Sequence, residues 1–492
     1  MLDFYEQTTI YYLTSVKGHS MDESQAQVSR ALPTEILSWI ETEMSAPVTR
    51  AQRVPGGSTR EAWLIDIGTG DALQELFLRF DRRPAEKLGI FWPLQVEAKV
   101  FRALHGTGVK VPVIHAFHPT LQAILAERVD GDTWFYRITD PAEQVSTAQD
   151  FIRNLAKLHL IDARTLDLPD LGTVQSPAEH TRLAIAGIRG HLLRLSTSLD
   201  PFLGVCLDWL EANIPTYEGP TVLVQGDTGP GNFMYRNGKV TAVVDWELAH
   251  FGDPMDDIAW LSLRAVQDTF TYFPDRLAEY EKLTGFTIDE PRVWYYRLLG
   301  EVQLAAVGLG KRTLTDVARS GGDAGNSLIY GLLHRRLLIE AFANAAGVVL
   351  EPRAAHETPE LGESAPNSIP DVHEALLLTL KTVADQAADP LAIARTKAAA
   401  RLVRYLKDLE ADGPRIAAEE LHDITSVLQG KTSEPVPSSI SEAQDQLFKA
   451  VQSGHVSTAD FIHFRWRSIG RQSFLARHAL GALHDRTWPP LR

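Results

Sequence analysis

The chain has 492 residues, of which 44% are apolar and 23% charged, a composition typical of globular proteins and a length sufficient for two or three domains. Its formal net charge of −15, with no run of lysine or arginine, argues against a nucleic-acid-binding surface. The single cysteine, Cys206, excludes an intramolecular disulfide framework and any cysteine-based zinc site.

The sequence shows no segment that would send the chain into or across a membrane. Its N-terminus lacks the basic and apolar regions of a secretory signal. The apolar stretch 328–350 is interrupted by charged and histidine side chains, so it falls short of the roughly 18 uninterrupted apolar residues of a spanning helix. We therefore expect a cytoplasmic protein with no membrane partner.

The first part of the chain alternates between helical and strand-like patterns. Apolar side chains recur at helical intervals over 29–44, and short strand-like runs follow at 62–68 and 75–80. A helix over 94–108, closed by glycine, precedes a further strand within 121–132. This part is predicted to be α+β.

Beyond about residue 130 the pattern is mainly helical, interrupted by one β-rich block between 221 and 247. A polar, proline-containing segment near residue 360 has little to bury and is predicted to be a linker, followed by amphipathic helices. The predicted organisation is an extension (1–28), a β-rich first lobe (29–130), a helical second lobe (131–350), the linker (351–371) and a helical accessory domain (372–492).

The β-rich block contains the segment QGDTGPGNFMYRNGKVTAVVDWE (225–247), in which Asp227, Asn232 and Asp245 carry oxygen ligands. A hairpin centred on Asn237 and Gly238 would bring the ends of this segment side by side. Phosphoryl transfer needs a carboxylate to accept a hydroxyl proton and hard oxygen ligands for magnesium. Each residue alone also fits ordinary turn chemistry, but the three together between strands favour the functional interpretation.

A glycine-containing turn lies between two strand-like runs upstream, with Gly56, Gly57 and Ser58 at its tip. Glycine permits close approach of backbone N–H groups to phosphate oxygens, so this turn is a candidate cover for nucleotide phosphates. An ordinary hairpin turn is the structural alternative.

Arg79 is the candidate basic residue on a strand. The alternation over 75–80 places Phe77 and Arg79 on one face. Arg82 and Arg83 compete for this role, and a solvated cluster of strand-end arginines is the alternative.

These motifs together resemble the aminoglycoside phosphotransferase and choline kinase branch of the protein-kinase-like superfamily. The catalytic loop of that family usually reads His-Gly-Asp, four residues and Asn, followed by an aspartate that opens the metal-binding segment. In this chain Gln225 replaces the histidine, and the resemblance covers about residues 35–345. The sequences GGSTREAW and VVDWELAHFGDP and the strand arginine are closest to bacterial phosphotransferases resembling the kinase portion of acyl-CoA dehydrogenase family members.

The resemblance implies a bilobal protein-kinase-like fold of the α+β class, with a small β-rich N-lobe, a largely helical C-lobe and an appended C-terminal helical module. It implies ATP and Mg²⁺ as cofactors, Asp227 as the catalytic base, and Asn232 and Asp245 as metal ligands. The residues that it assigns to the nucleotide are Gly56, Gly57, Ser58, Arg79, Glu97 and the adenine hinge of Glu127, Arg128 and Val129. The resemblance and the order of the elements make Glu97, on the helix that follows the strand, the expected partner of Arg79. Asp257 is expected to brace the catalytic loop, and His159 to have a core or capping role.

The function implied is transfer of the γ-phosphoryl group of ATP to a small-molecule alcohol, such as a hydroxyacyl thioester or another catabolic alcohol. Aminoglycoside phosphorylation is the second candidate, since an acidic surface attracts a polycation. A catalytically silent kinase-like protein that binds nucleotide or a partner is the third, because Gln225 and Arg79 depart from the family pattern. For the C-terminal helices, formation of a homo-oligomer and gating of the acceptor both stay open.

Overall fold

The computed structural model describes residues 32–54, 60–84, 88–195, 200–309, 324–352, 372–388 and 390–492. These residues form two compact units. Unit 1 takes the described parts of 1–181, 216–289 and 488–492, and unit 2 takes those of 182–215 and 290–487. The sequence-based domain divisions stay predictions; the extension 1–28 and residues 353–371 of the linker lie outside the described residues.

Unit 1 begins with a helix and a five-stranded antiparallel sheet of strand order β1-β2-β3-β5-β4. The elements are α1 (Thr34–Met44), β1 (Val48–Val54), β2 (Glu61–Ile67), β3 (Gln74–Asp81), α2 (Leu94–Leu104), β4 (Ile114–Phe117) and β5 (Gln122–Glu127). In β3, Leu76 and Leu78 pack with α1 in one apolar cluster, whereas Phe77 belongs to a separate cluster. The predicted strand pair and its alternation are confirmed.

The helix α2 carries Glu97 in its first turn. Leu94 and Ala98 pack on the β5 residues Ile124 and Ala126, and Glu97 is fully buried. Because a buried carboxylate requires charged or hydrogen-bonding partners, this position already indicates a paired glutamate rather than a solvated helix residue.

The remaining elements follow in chain order. They are α3 (Pro141–His159), α4 (Pro177–Leu195), α5 (Pro201–Ala212), β6 (Val222–Val224), β7 (Phe233–Arg236), β8 (Lys239–Val243), β9 (His250–Gly252), α6 (Pro254–Gln267), α7 (Phe273–Thr284), α8 (Glu290–Leu309), α9 (Ala324–Ala345), α10 (Val372–Gln386), α11 (Pro390–Leu428), α12 (Ile440–Gln452), α13 (Thr458–Leu475) and α14 (Arg477–Leu480). The α+β class is confirmed.

The strands β7 and β8 form an antiparallel hairpin in unit 1, and β6 pairs with β9. Asn237 and Gly238 at the tip have φ angles of 50° and 72°, the left-handed conformation that a two-residue type I′ turn requires. The predicted hairpin is therefore confirmed. Its two strands bring the segment after Asn232 back to the segment before Asp245.

The helix α6 starts at an Asp-Pro pair. The Asp253 side chain accepts a hydrogen bond from the Met255 N–H at 2.8 Å, and Pro254 occupies the first helical position, where its missing N–H costs nothing. This cap fixes where α6 begins and therefore which of its side chains, among them Asp257 and Arg264, point into the interior.

In unit 2, α8 packs against α9, and α9 also packs against α11 and α13. The buried apolar side chains of α9 are Ile329, Leu332, Leu333, Leu337, Leu338, Ile339 and Phe342. Among the helices described, none combines the length and the apolar character that a bilayer span would need.

Candidate active site

The loop that connects β6 to β7 carries Gln225 at its start, and this side chain is 1% exposed. Its Nε2 donates to the Val244 carbonyl oxygen at 2.7 Å, and its backbone N–H donates to Asp257 Oδ2 at 2.9 Å. Glutamine at the position where the family carries histidine therefore ties the loop directly to the residue preceding Asp245.

Asp257 on α6 braces the same loop. Its carboxylate accepts hydrogen bonds from the N–H of Gly226 at 3.0 Å, from the Thr228 hydroxyl, and from His159 Nε2 at 3.0 Å. Burial raises the pKa of Asp257, but the hydrogen bonds from His159, Thr228 and Gln225 outweigh it and leave this pKa below its ordinary value. The bracing role expected for Asp257 is confirmed, as is a buried structural role for His159.

Asp227 forms a bidentate ion pair with Arg264, which the sequence analysis did not predict. Arg264 Nε donates to Asp227 Oδ1 at 2.6 Å, and Arg264 Nη2 donates to Oδ2. Burial raises the pKa of Asp227, and the charge and hydrogen bonds of Arg264 oppose that rise. Arg264 lies on a helix well downstream of the loop, so no local motif links it to Asp227.

Asn232 presents a free amide oxygen. The residue is fully buried; its Nδ2 donates to the Asp227 carbonyl oxygen at 2.7 Å, while its Oδ1 has no hydrogen-bond donor among the described residues. The Asn232 carbonyl accepts from the Val244 N–H at 3.0 Å, which sets Asn232 beside the chain entering Asp245. A buried amide oxygen with no donor among the described residues suits Mg²⁺, which prefers hard oxygen ligands.

Asp245 adopts a left-handed backbone conformation, with φ of 63°, and is 5% exposed. Its Oδ1 accepts a hydrogen bond from Arg79 Nη2 at 2.9 Å. Within the described parts of the chain, no group of three or more histidine, cysteine, aspartate or glutamate side chains is arranged to hold a metal. A magnesium ion here would therefore use Asn232, Asp245 and oxygens from a nucleotide.

Arg79 lies where the strand pattern predicted it, on the face that carries Phe77, and is 7% exposed. Its Nη1 donates to Glu97 Oε1, so the predicted pairing is present. Arg82 and Arg83 are engaged elsewhere, with Glu61 at 2.6 Å and Asp81 at 2.6 Å. Of Arg79, Arg82 and Arg83, Arg79 is therefore the one that pairs with Glu97.

Arg60 and Glu247 complete this ion-pair network, and the sequence analysis missed both. Arg60 is 5% exposed and reaches Glu97 Oε2 and Glu247 Oε2, each at 2.8 Å. Burial and the neighbouring charge of Asp245 raise the pKa of Glu247 to about 7, although Arg60 and Arg79 oppose the rise. Two arginines therefore face several carboxylates at one buried position.

The predicted hinge follows directly from β5. Arg128 uses its side chain in ion pairs with Glu75 at 2.9 Å and Asp66 at 3.4 Å, so only its backbone is available to a nucleotide. Val129 belongs to an apolar cluster formed by the sheet and the β7–β8 hairpin, with Val54, Ala62, Leu64, Phe77, Met234, Ala242 and Val244. Gly56, Gly57 and Ser58 lie outside the described residues.

A small recess with a volume of about 20 Å³ opens beside Arg79, Glu97 and Asp245. Its remaining walls are apolar and come from Phe77, Phe101, Pro112, Ile114, Ile124, Ala126 and Val244. The charged network and an apolar recess are therefore neighbours in unit 1.

Residues 50–294 match the model of the phosphotransferase enzyme family. This region belongs to that family. The match confirms the family expected from the motifs, and the predicted enzyme class at the level of a phosphotransferase.

Among curated proteins, the phosphotransferase region is similar to acyl-CoA dehydrogenase family member 11. The Rattus norvegicus protein is 29% identical over 177 residues, which cover 34% of this chain and 22% of the relative. The Homo sapiens protein is 26% identical over 238 residues, covering 46% of this chain and 29% of the relative. The chain thus spans only about a quarter of the length of these relatives, and the expected similarity to this group is confirmed.

One solved structure, from Ralstonia eutropha JMP134 and assigned as an aminoglycoside phosphotransferase, superposes on the chain with a TM-score of 0.50. It is 21% identical and covers 64% of this chain and 99% of its own. At this identity the similarity establishes the fold alone. The predicted kinase-like fold is confirmed for the phosphotransferase region.

Proposed function

We propose that the chain transfers the γ-phosphoryl group of ATP to a hydroxyl group of a small molecule. The observation that carries this proposal is the bonded arrangement of Asp227, Asn232 and Asp245 beside the Arg79–Glu97 pair. A proton acceptor, two oxygen ligands and a cation for phosphate are the components that phosphoryl transfer requires.

In this proposal each residue has a defined task. Asp227 orients the acceptor hydroxyl and accepts its proton, while Arg79, held by Glu97, binds phosphate oxygens. The hinge at 127–129 and the apolar cluster around Val129 receive the adenine. Asn232 and Asp245 would hold Mg²⁺, and the bound ion would neutralise charge on the phosphate oxygens.

For the acceptor we propose a hydroxyacyl thioester or another catabolic alcohol. The relatives named acyl-CoA dehydrogenase support a link to acyl thioesters. The Asp227–Arg264 pair adds a second argument, because a neutralised carboxylate offers little attraction to a polycationic aminoglycoside.

A catalytically silent, nucleotide-binding protein is the second candidate. The same ion pair favours it, since Arg264 engages both oxygens of the proposed base. A homo-oligomer formed through the C-terminal helices and a cytoplasmic location belong to the proposal as well.

The test is calorimetry with ATP, with and without magnesium, followed by an ATP-consumption screen of the full chain. The screen covers hydroxyacyl thioesters, aminoglycosides, choline-like alcohols and sugars. We expect magnesium-dependent binding and consumption with a thioester. If only an aminoglycoside caused ATP consumption, an aminoglycoside would become the proposed acceptor. ATP binding without ATP consumption would support the catalytically silent alternative, and the absence of ATP binding would reject the proposal.

Asp245→Asn and Asp245→Ala test the metal ligand within the same measurement. Asparagine tolerates the left-handed backbone at 245 better than alanine, so it removes the charge with less strain. Both variants should lose magnesium-dependent ATP binding, and the alanine variant should also unfold at lower denaturant concentration. If ATP binding stayed dependent on magnesium in both variants, Asp245 would not be a metal ligand.

A further inference from the structure

Arg264 contacts Asp227, the proposed base, and was not among the site residues predicted from the sequence. It is 8% exposed, and two of its nitrogens donate to the two carboxylate oxygens of Asp227. We propose that Arg264 is a positioning residue for phosphoryl transfer, whose guanidinium fixes the plane of the Asp227 carboxylate toward the acceptor hydroxyl. This inference rests on the proposed function.

The Arg264 side chain is clamped by the catalytic loop itself. A Cβ atom added at Gly229 would lie 2.7 Å from Arg264 Cβ and 3.2 Å from its Cγ, so the loop crosses the arginine at a distance that only glycine allows. At the other end, Arg264 Nη1 donates to Gln267 Oε1 at 3.3 Å. The guanidinium therefore cannot move far without moving the loop.

The ion pair leaves Asp227 able to accept a proton. A carboxylate oxygen has two lone-pair sites, and each bond from Arg264 occupies one of them. Phosphoryl transfer depends mainly on the orientation of the attacking hydroxyl and on charge stabilisation, and less on a strong base. A carboxylate held in one plane by two parallel bonds meets that demand, at some cost in basicity.

The competing explanation is that the pair only joins the loop to α6. The variants Arg264→Gln, Arg264→Lys and Arg264→Ala distinguish the two when unfolding is measured beside catalysis. Arg276→Ala is the matched control, because Arg276 is 5% exposed on the neighbouring helix α7 and pairs with Glu279 at 3.2 Å.

The assay is ATP turnover at saturating magnesium over a range of ATP concentrations, with water as acceptor and with the best acceptor from the screen. We expect Arg264→Gln to lower kcat about 10²-fold while the KM for ATP changes by less than about threefold. Arg264→Lys should lie between this variant and the wild type, because an ammonium group cannot make two parallel bonds.

Chemical rescue provides the decisive readout. Guanidinium chloride at about 10 mM should restore turnover of Arg264→Ala about tenfold, whereas sodium chloride at equal ionic strength should not. Arg276→Ala should show no such recovery.

An Arg264→Gln variant with wild-type kcat would overturn the inference. So would a loss of kcat that follows the loss of folding stability and resists guanidinium. A wild-type protein that consumes no ATP would reject the proposed function itself, and the inference with it.

Discussion

The two polar atoms of the Asn232 side-chain amide differ in their hydrogen bonding. Nδ2 donates to a backbone carbonyl of the protein, whereas Oδ1 is buried and has no donor among the described residues. A buried acceptor left unpaired costs about 1–3 kcal/mol. An ordered water or a bound ion supplies the missing partner of such groups, and a divalent cation has the matching chemistry. This residue is the strongest structural sign of a metal site in the loop.

Replacement of Asp227 by asparagine tests the base. Asp227→Asn keeps the shape of the side chain but cannot accept the hydroxyl proton, so turnover should fall by about 10²- to 10⁴-fold. ATP affinity, measured by calorimetry, should stay near the wild-type value. Asp170→Asn is the control, since Asp170 forms a partly exposed pair with Lys99 at 2.7 Å; unchanged turnover in Asp227→Asn would exclude it as the base.

The loop between β6 and β7, which carries Asp227, is supported from two sides, by Asp257 on α6 and by the chain around Leu248. Gly226 has a φ of 82°, and a Cβ atom added there would overlap the Leu248 carbonyl oxygen. The loop therefore needs glycine both for its backbone conformation and for its packing.

Gly226→Ala and Gly106→Ala separate these two requirements. Gly106 has the same φ of 82°, but a Cβ added there meets nothing within 4 Å. Both variants bear the cost of an alanine at positive φ, while Gly226→Ala adds a backbone clash and should lose about 1–3 kcal/mol more unfolding free energy. Equal losses in urea unfolding would show that the Leu248 contact is easily relieved.

The fold lowers the pKa of Asp257 below its ordinary value, which gives stability a defined dependence on pH. The charged carboxylate is the favoured form, so its contribution is complete above about pH 4 and is lost as pH falls through the folded pKa. Asp257→Asn should lower the unfolding free energy by about 3 kcal/mol at neutral pH, because buried donors lose a charged acceptor.

The difference in unfolding free energy between wild type and Asp257→Asn should then narrow as pH falls below about 4, because the unfolded wild-type chain binds the proton before the folded protein does. Denaturant unfolding from pH 7 to pH 3 measures both values. A difference that stayed constant over this range would mean that the Asp257 charge does not contribute.

At the scale of the whole molecule, the C-terminal helices and α9 share one unit. The α9 side chains Leu337 and Phe342 are fully buried, and α9 packs against α11 and α13. Removal of those two helices would expose to water the part of α9 that they cover.

Deletion of residues 372–492 should therefore destabilise unit 2 as well as remove the accessory helices. We expect a lower Tm and self-association of the shortened chain, measured by circular dichroism and size-exclusion chromatography. A monomeric product with unchanged Tm would show instead that the accessory helices form an independent domain, as the composition of 351–371 predicts.

Local patterns in the sequence were enough to predict several parts of the site. The period of two in β3 placed Arg79 on the Phe77 face, and Asn237-Gly238 predicted the hairpin. The order of the elements together with the family resemblance predicted the Arg79–Glu97 pair. These features depend on neighbours along the chain or on the regular geometry of strands and turns, which periodicity and turn chemistry encode.

Only the tertiary structure decided which charges meet across long sequence separations. The packing of separate elements pairs Arg60 with Glu97 and Arg264 with Asp227. It also forms the hydrogen bond from Gln225 to Val244. No spacing rule records such contacts, because they depend on where a helix or strand comes to lie after its apolar face is buried. The sequence by itself determined the chemical groups of the site, and packing determined their partners and their charge.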